Sequence, residues 1–178
     1  FKPMDGLYLS LDVYNVEVDD RIVYSSAISS SDTTSAVGGI LNDYNVTSIK
    51  FFTNAVSSTT NGIDFVASYS GLEIGPGALD ISLGYNSNTT ELGDKITTPV
   101  PIASSGADIF DRKEQSRLIS ARPASKMILS LNYSMGALNI GLNNTQFGEV
   151  TWQHASDSSM DQTFSAKLVT DLNVNYQL

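Results

Sequence analysis

The residues that could do chemistry are few and scattered. His154 is the only histidine, and it stands near Asp157 in a polar stretch. A general base needs a hydrogen-bonding partner and a pocket, and the sequence around His154 announces neither. The paired acids Asp19–Asp20, and Asp108 with Asp111, offer carboxylates for a hard cation, but calcium takes six to eight oxygens. A solvated loop accounts for them. There is no cysteine, which removes disulfides and thiolate metal sites. No catalytic residue, cofactor or metal ligand is expected, and the chain does not read as an enzyme. What remains is ligand contact. Arg112, Lys113 and Arg117 lie where an anion could be met. Trp152, His154 and Phe147 lie where an aromatic could touch a solute. Arg112, Lys113, Trp152 and His154 are the candidate ligand-binding residues.

The elements that would position them are strands. From Ile63 to Tyr85 the alternation has period two: Ile63, Phe65, Ala67 and Tyr69 share one side, Asp64, Val66, Ser68 and Ser70 the other. After Gly75-Pro76-Gly77 it returns, with Leu79, Ile81, Leu83 and Tyr85 against Asp80, Ser82, Gly84 and Asn86. Such a pattern marks strands that bury one face only. The same reading gives Leu7 to Tyr24, Thr47 to Ser70, Leu79 to about Thr90, Met127 to Tyr133, Leu138 to Trp152, and Leu172 to Leu178. These six strands define an all-β, antiparallel up-and-down meander. After Val13 the apolar parity switches to Tyr14, Val16 and Val18. Either a bulge or departure of the strand from an apolar zone would do this. Asn61-Gly62 is a hairpin signal inside the second strand, so a hairpin between Phe51–Val56 and Ile63–Tyr69 stands as an alternative.

The connections alternate in length. Residues 25–45, 92–121 and 154–161 form longer loops; Gly71 to Gly77 and Ser134-Met135-Gly136 form short ones. Gly38 to Leu41 and Ile109 to Ile119 are candidate helical turns within the longer loops. Transmembrane barrels have short turns on one side and longer loops on the other. The clean apolar stretches are about 9–11 residues at most, enough to cross a bilayer when tilted. Tyr69, Tyr133 and Tyr176 fall near the short-turn end on the apolar face, where interfacial aromatics collect. The opposite face carries Asp64, Asp80, Asn86, Asn132, Asn139, Asn143 and Asp171, with Gly62, Gly84 and Gly141 leaving room. A net charge of -9, from 10 basic and 19 acidic residues, argues against a nucleic-acid partner.

Phe51 to Val56 followed by Thr59 to Tyr69 resembles a strand near the C-terminal end of TonB-dependent outer-membrane receptors. Gly6 to Tyr14 with Asp19 to Val23 is similar to the strand before it. Ile109 to Arg112, Arg122 to Lys126, Phe147 to Thr151 and Leu168 to Tyr176 continue the likeness in order. The resemblance implies a segment of a 22-stranded barrel in the bacterial outer membrane. It implies membrane lipid on the exterior, and a small-molecule or metal-chelate ligand such as an iron-siderophore complex. Contact with TonB would run through parts of the parent protein outside this chain. The expected domain organisation is one fragment of a barrel domain, residues 1–178, without the plug domain and the final strands. Two readings from other classes stand beside it: a soluble, secreted β-sandwich that binds a ligand, and a passive porin-type channel.

Overall fold

The computed structural model describes residues 1–29, 31, 36–103 and 106–178. Residues 30, 32–35 and 104–105 of the two longest expected loops lie outside the described residues. Among the described residues ten strands occur in order: β1 (Leu7–Tyr24), β2 (Ile28–Ser29), β3 (Ser48–Ile49), β4 (Phe52–Ile74), β5 (Gly77–Lys95), β6 (Ser125–Met135), β7 (Leu138–Phe147), β8 (Val150–Trp152), β9 (Gln162–Phe164) and β10 (Lys167–Tyr176). Helices α1 (Ala36–Asp43), α2 (Val100–Ala103) and α3 (Arg112–Ile119) sit in the longer loops, with a 3-10 turn at Ser158–Met160. Six strands make one antiparallel sheet in the order β1-β4-β5-β6-β7-β10, the meander that the alternation requires.

Residues directly opposite one another share a face. One row reads Leu7, Tyr69, Ile81, Leu131, Leu142, Leu172 across the six strands. Two residues toward the long loops the row is Leu9, Ala67, Leu83, Leu129, Asn144, Thr170. Among the described residues nothing covers this apolar face: Val13 is 77% exposed and Leu172 68%.

The structure decides the open questions about register. Pairing runs unbroken from Leu7 opposite Tyr69 to Val18 opposite Ser58, so the parity change after Val13 is not a bulge. Tyr14, Val16 and Val18 lie on the polar face. The bulge comes later, between Val18 and Ile22, with Asp20 at φ 50°. Asn61-Gly62 makes no turn. Asn61 pairs with Asn15 and Thr89, and Gly62 with Tyr14 and Asn88, inside a continuous strand. The glycine is there because the Tyr14 ring lies over it, and a Cβ would fall inside that ring.

Two expectations need correction. The fifth strand does not continue to Trp152. β7 ends at Phe147, where the amide of Gly148 donates to the carbonyl of Ser125 at 2.9 Å. A side chain at Gly148 would collide with the Ser125 hydroxyl. The chain then leaves the sheet, and β8 pairs with β9 instead. The small residues of the polar face also do not all leave room. Tyr14 fills the space over Gly62, and the Asn173 and Asn132 side chains fill that over Gly141. Only Gly84 of the three is open.

Candidate functional site

The buried core lies where the longer loops meet the far ends of β1, β4 and β5. Ile28, Leu41 and Ile109 form one cluster, joined by Val46, Ile49, Phe51 and Ile102. Val23, Ala55, Val56 and Phe110 form a second, with Leu92 and Leu118. Each brings together chain segments that are distant in sequence, so the loops form one packed cap. Leu92 pairs with Ser58 and continues the parity of Thr90, Asn88 and Asn86. The second cluster therefore sits on the polar face of the sheet, and α3 is folded over that face.

Helix α3 is the hub. Asp111 caps it, accepting from the Glu114 amide at 2.9 Å, which satisfies an otherwise unpaired donor of the first turn. The Asp111 amide itself donates to the Ser26 hydroxyl at 2.9 Å, tying the helix to the first loop. Glu114, only 3% exposed, accepts from Lys50 at 3.0 Å and from Arg117 at 2.7 Å. A buried carboxylate is tolerated because both oxygens are charge-paired. At the other end, Ser120 and Thr151 exchange hydrogen bonds that hold β8 against the helix.

Three of the four candidate residues meet at this junction. Arg112 donates to both carboxylate oxygens of Asp161, at 2.7 and 3.2 Å, and to the His154 carbonyl at 3.1 Å. Trp152 meets His154 edge to face, with ring centroids 6.1 Å apart. Nδ1 of His154 accepts from the Asp157 amide at 3.1 Å. Hydrogen bonds from Arg112 and from the His154 amide hold the Asp161 carboxyl below the usual carboxylate range, and the same bond to Asp161 raises Arg112. The Ser159 hydroxyl and amide lower Asp157. Lys113 is half-buried one residue along α3, and no polar contact brings it into this group. Asp108 accepts from the Phe110 amide at 2.9 Å and Asp111 is the helix cap, so both serve the loop fold. No group of three or more metal-ligating side chains occurs among the described residues.

Below the cap, the polar face carries a row of Asp12, Asp64, Asn86, Lys126, Phe147 and Lys167. Asn86 donates to Asp64 at 2.5 Å and reaches the Tyr14 hydroxyl at 3.4 Å. The Lys126 ammonium lies 5.4 Å from the centre of the Phe147 ring. The row runs from acid on β1 and β4 to base on β6 and β10. Sequence reasoning missed Glu114 and Lys50 as members of the site. The signal for Glu114 was present: an acid three residues after Asp111 is the spacing of a helix N-terminus.

A six-stranded meander, greasy on one face and hydrogen-bonded on the other, with long loops at one end and tight turns at the other, is the wall of a β-barrel. A family model for "TonB dependent receptor-like, beta-barrel" matches residues 1–178, the whole chain. The chain belongs to that family, whose members are outer-membrane receptors and transporters and not enzymes. No curated protein matches it. Among the described residues no helix is long and apolar enough to cross a membrane, which says nothing of a barrel that crosses with strands.

Proposed function

We propose that this chain is part of the wall of a 22-stranded outer-membrane barrel. On this reading lipid covers the apolar face and the polar face looks into the lumen. The parent receptor imports a scarce nutrient such as an iron-siderophore complex, powered by TonB acting through parts of the protein outside this chain.

One observation carries the reading. The apolar zone slides along the sheet by about one residue per strand. Tyr69 shares its row with Ile81 and Leu131, but the tyrosine of β6 is Tyr133, two residues nearer the short turns. Tyr133 shares its row with Ile140 and Val174, but the tyrosine of β10 is Tyr176, again two residues further on. Two residues (~6.7 Å) per two strand spacings (~9.6 Å) corresponds to strands tilted about 35° if the tyrosines lie at one level. Transmembrane barrel strands tilt ~35–45°. A soluble sheet has no reason to hold tyrosines on such a diagonal, whereas two parallel water–lipid boundaries impose it.

The test is uptake by cells that lack the receptor gene. With iron limiting, accumulation of radiolabelled iron from its siderophore complex should fall, and return with the restored gene only while TonB is active. Undiminished uptake in the deletion would overturn the iron reading. Restored uptake without TonB would point to a passive channel.

A further inference from the structure

We propose that a cleft between the end of β1 and α3 is a binding subsite for an organic carboxylate, gripped by Arg21 and Arg117. The cleft encloses about 310 Å³ and is lined by Arg21, Tyr24, Phe110, Glu114, Arg117 and Leu118 among others. That volume is at the small end of the range for small-molecule sites.

Arg21 is the central observation. Its Nη1 is buried and has no hydrogen-bond partner among the described residues. A guanidinium keeps its charge at any biological pH, so it cannot escape the cost of burial by losing a proton. Buried charges in native structures are paired, yet half-buried Arg21 makes no ion pair among the described residues. Among the described residues, Oγ of Ser58 is likewise buried without a partner. Ser58 is opposite Val18 and Arg21 is opposite Val56, so the two orphans occupy neighbouring pairs of one ladder. The backbone between Val18 and Arg21 is the bulge, and Asp20 within it has a positive φ. Bulges re-aim side chains at functional sites, and a non-glycine residue at positive φ persists where the surroundings enforce it.

The other wall supplies the second cation. Arg117 is half-exposed and is anchored by a 2.7 Å hydrogen bond from Nη1 to Glu114. Lys50 takes the other oxygen of Glu114. The four groups sum to a positive charge although the chain as a whole carries -9. Among the ionic side chains that line the cleft, the two cations Arg21 and Arg117 face the one anion Glu114, a balance that suits an anionic ligand. Guanidinium forks match carboxylate and phosphate alike. Phe110, Leu118 and the Tyr24 ring decide between them, because they offer apolar surface to a carbon skeleton that inorganic phosphate lacks. Glu114 is a positioning residue: it lines the cleft, but one oxygen is taken by Lys50 and the other holds Arg117.

The subsite deepens the receptor reading, since it would meet solutes on the lumen side of the loop cap. It is tested separately, by equilibrium binding of benzoate and of inorganic phosphate to the purified intact receptor in detergent. Benzoate should bind saturably, and Arg21→Met should weaken it about tenfold or more, the size expected for charge-assisted hydrogen bonds. Arg117→Gln should weaken it severalfold, and Lys2→Met, at the opposite end of the sheet, should leave it unchanged. If Arg21→Met does not fold, as judged by heat-modifiable gel migration, Arg21→Lys keeps the charge but loses the fork. It should then show the weakening. Benzoate affinity unchanged in the folded Arg21 variant, no saturable binding to the native receptor, or phosphate bound as tightly as benzoate would each overturn the proposal. Uptake that fails while Arg21-dependent binding persists would refute the transport reading and leave the subsite standing.

Discussion

Arg112 holds Asp161 with a two-pronged ion pair that joins α3 to the loop between β8 and β9, its shortest contact 2.7 Å. The pair gives that junction a pH dependence whose sign is fixed. The folded-state pKa of Asp161 lies below its ordinary value, so the junction is fully stabilised above the usual carboxylate range. The stabilisation is lost as pH falls through the lowered value. Asp157, lowered by its bonds to Ser159, acts in the same direction. Acidification below about pH 4 should loosen the loop around Trp152, measured as a change in its fluorescence in a receptor whose other tryptophans are replaced. Asp161→Asn should show the loosened signal at neutral pH, and an unaltered signal would remove the pair from the account.

Tyr69, Tyr133 and Tyr176 should lie at one depth in a bilayer. Spin labels at the three positions should be equally accessible to membrane-soluble oxygen. A label at Leu131, in Tyr69's own row, should sit about 5 Å deeper, given a tilt of ~35°. Equal depth for Tyr69 and Leu131 would mean untilted strands.

Leu129 stands in the middle of the apolar face, opposite Leu83 and Asn144. Leu129→Arg should block membrane assembly of the parent receptor, because a charge near mid-bilayer costs about 2–4 kcal/mol. Ser130→Arg, one residue away on the polar face, should assemble. Heat-modifiable migration distinguishes the two, and normal assembly of Leu129→Arg would count against lipid as the covering of this face.

Gly62→Ala should destabilise the barrel by roughly 1–3 kcal/mol, the range for overpacking, because the new methyl meets the Tyr14 ring. Tyr14→Ala should relieve most of that cost in the double variant. Additive effects would show that Tyr14 is not the obstacle.

Glu114→Ala strips a buried carboxylate from between Lys50 and Arg117. Loss of one partner of a buried pair costs about 3–5 kcal/mol. Exposure of Arg117 brings the expectation down to about 2 kcal/mol. Hydrogen exchange should accelerate in the loop cap and not in β6 and β7, whose ladder is independent of it.

The sheet was legible because a strand with one wet face writes its orientation into every second residue. Leu7 to Val13, Ile63 to Tyr69 and Leu79 to Tyr85 could be assigned to one face without coordinates. Asn61-Gly62 misdirects because its dipeptide chemistry is that of a turn, while its actual role is steric and set by Tyr14, 48 positions earlier in the chain. The end of β7 at Phe147 depends on Gly148 meeting Ser125, a contact between strands that no local pattern encodes. The cap was hidden for the same reason. Ile28, Ile109 and Phe110 look like isolated apolar residues in polar loops until the fold brings them together. Arg112, Trp152 and His154 were recognisable as chemistry-bearing side chains, but their mutual engagement needed the spatial approach of α3 to β8. Arg21 was concealed by a bulge whose only trace was the acidic pair before it.

β4 also has the proportions of a mast. From Phe52 to Gly62 it runs beyond the last large apolar residues of its greasy face, roughly 35 Å at ~3.3 Å per residue. The Debye length at physiological salt is ~8 Å. Charges at the level of Tyr69 are therefore electrically invisible to a solute arriving at the far end. Whatever steers that solute must be written locally, in the few ions around α3, and the chain's overall acidity has no say in the encounter.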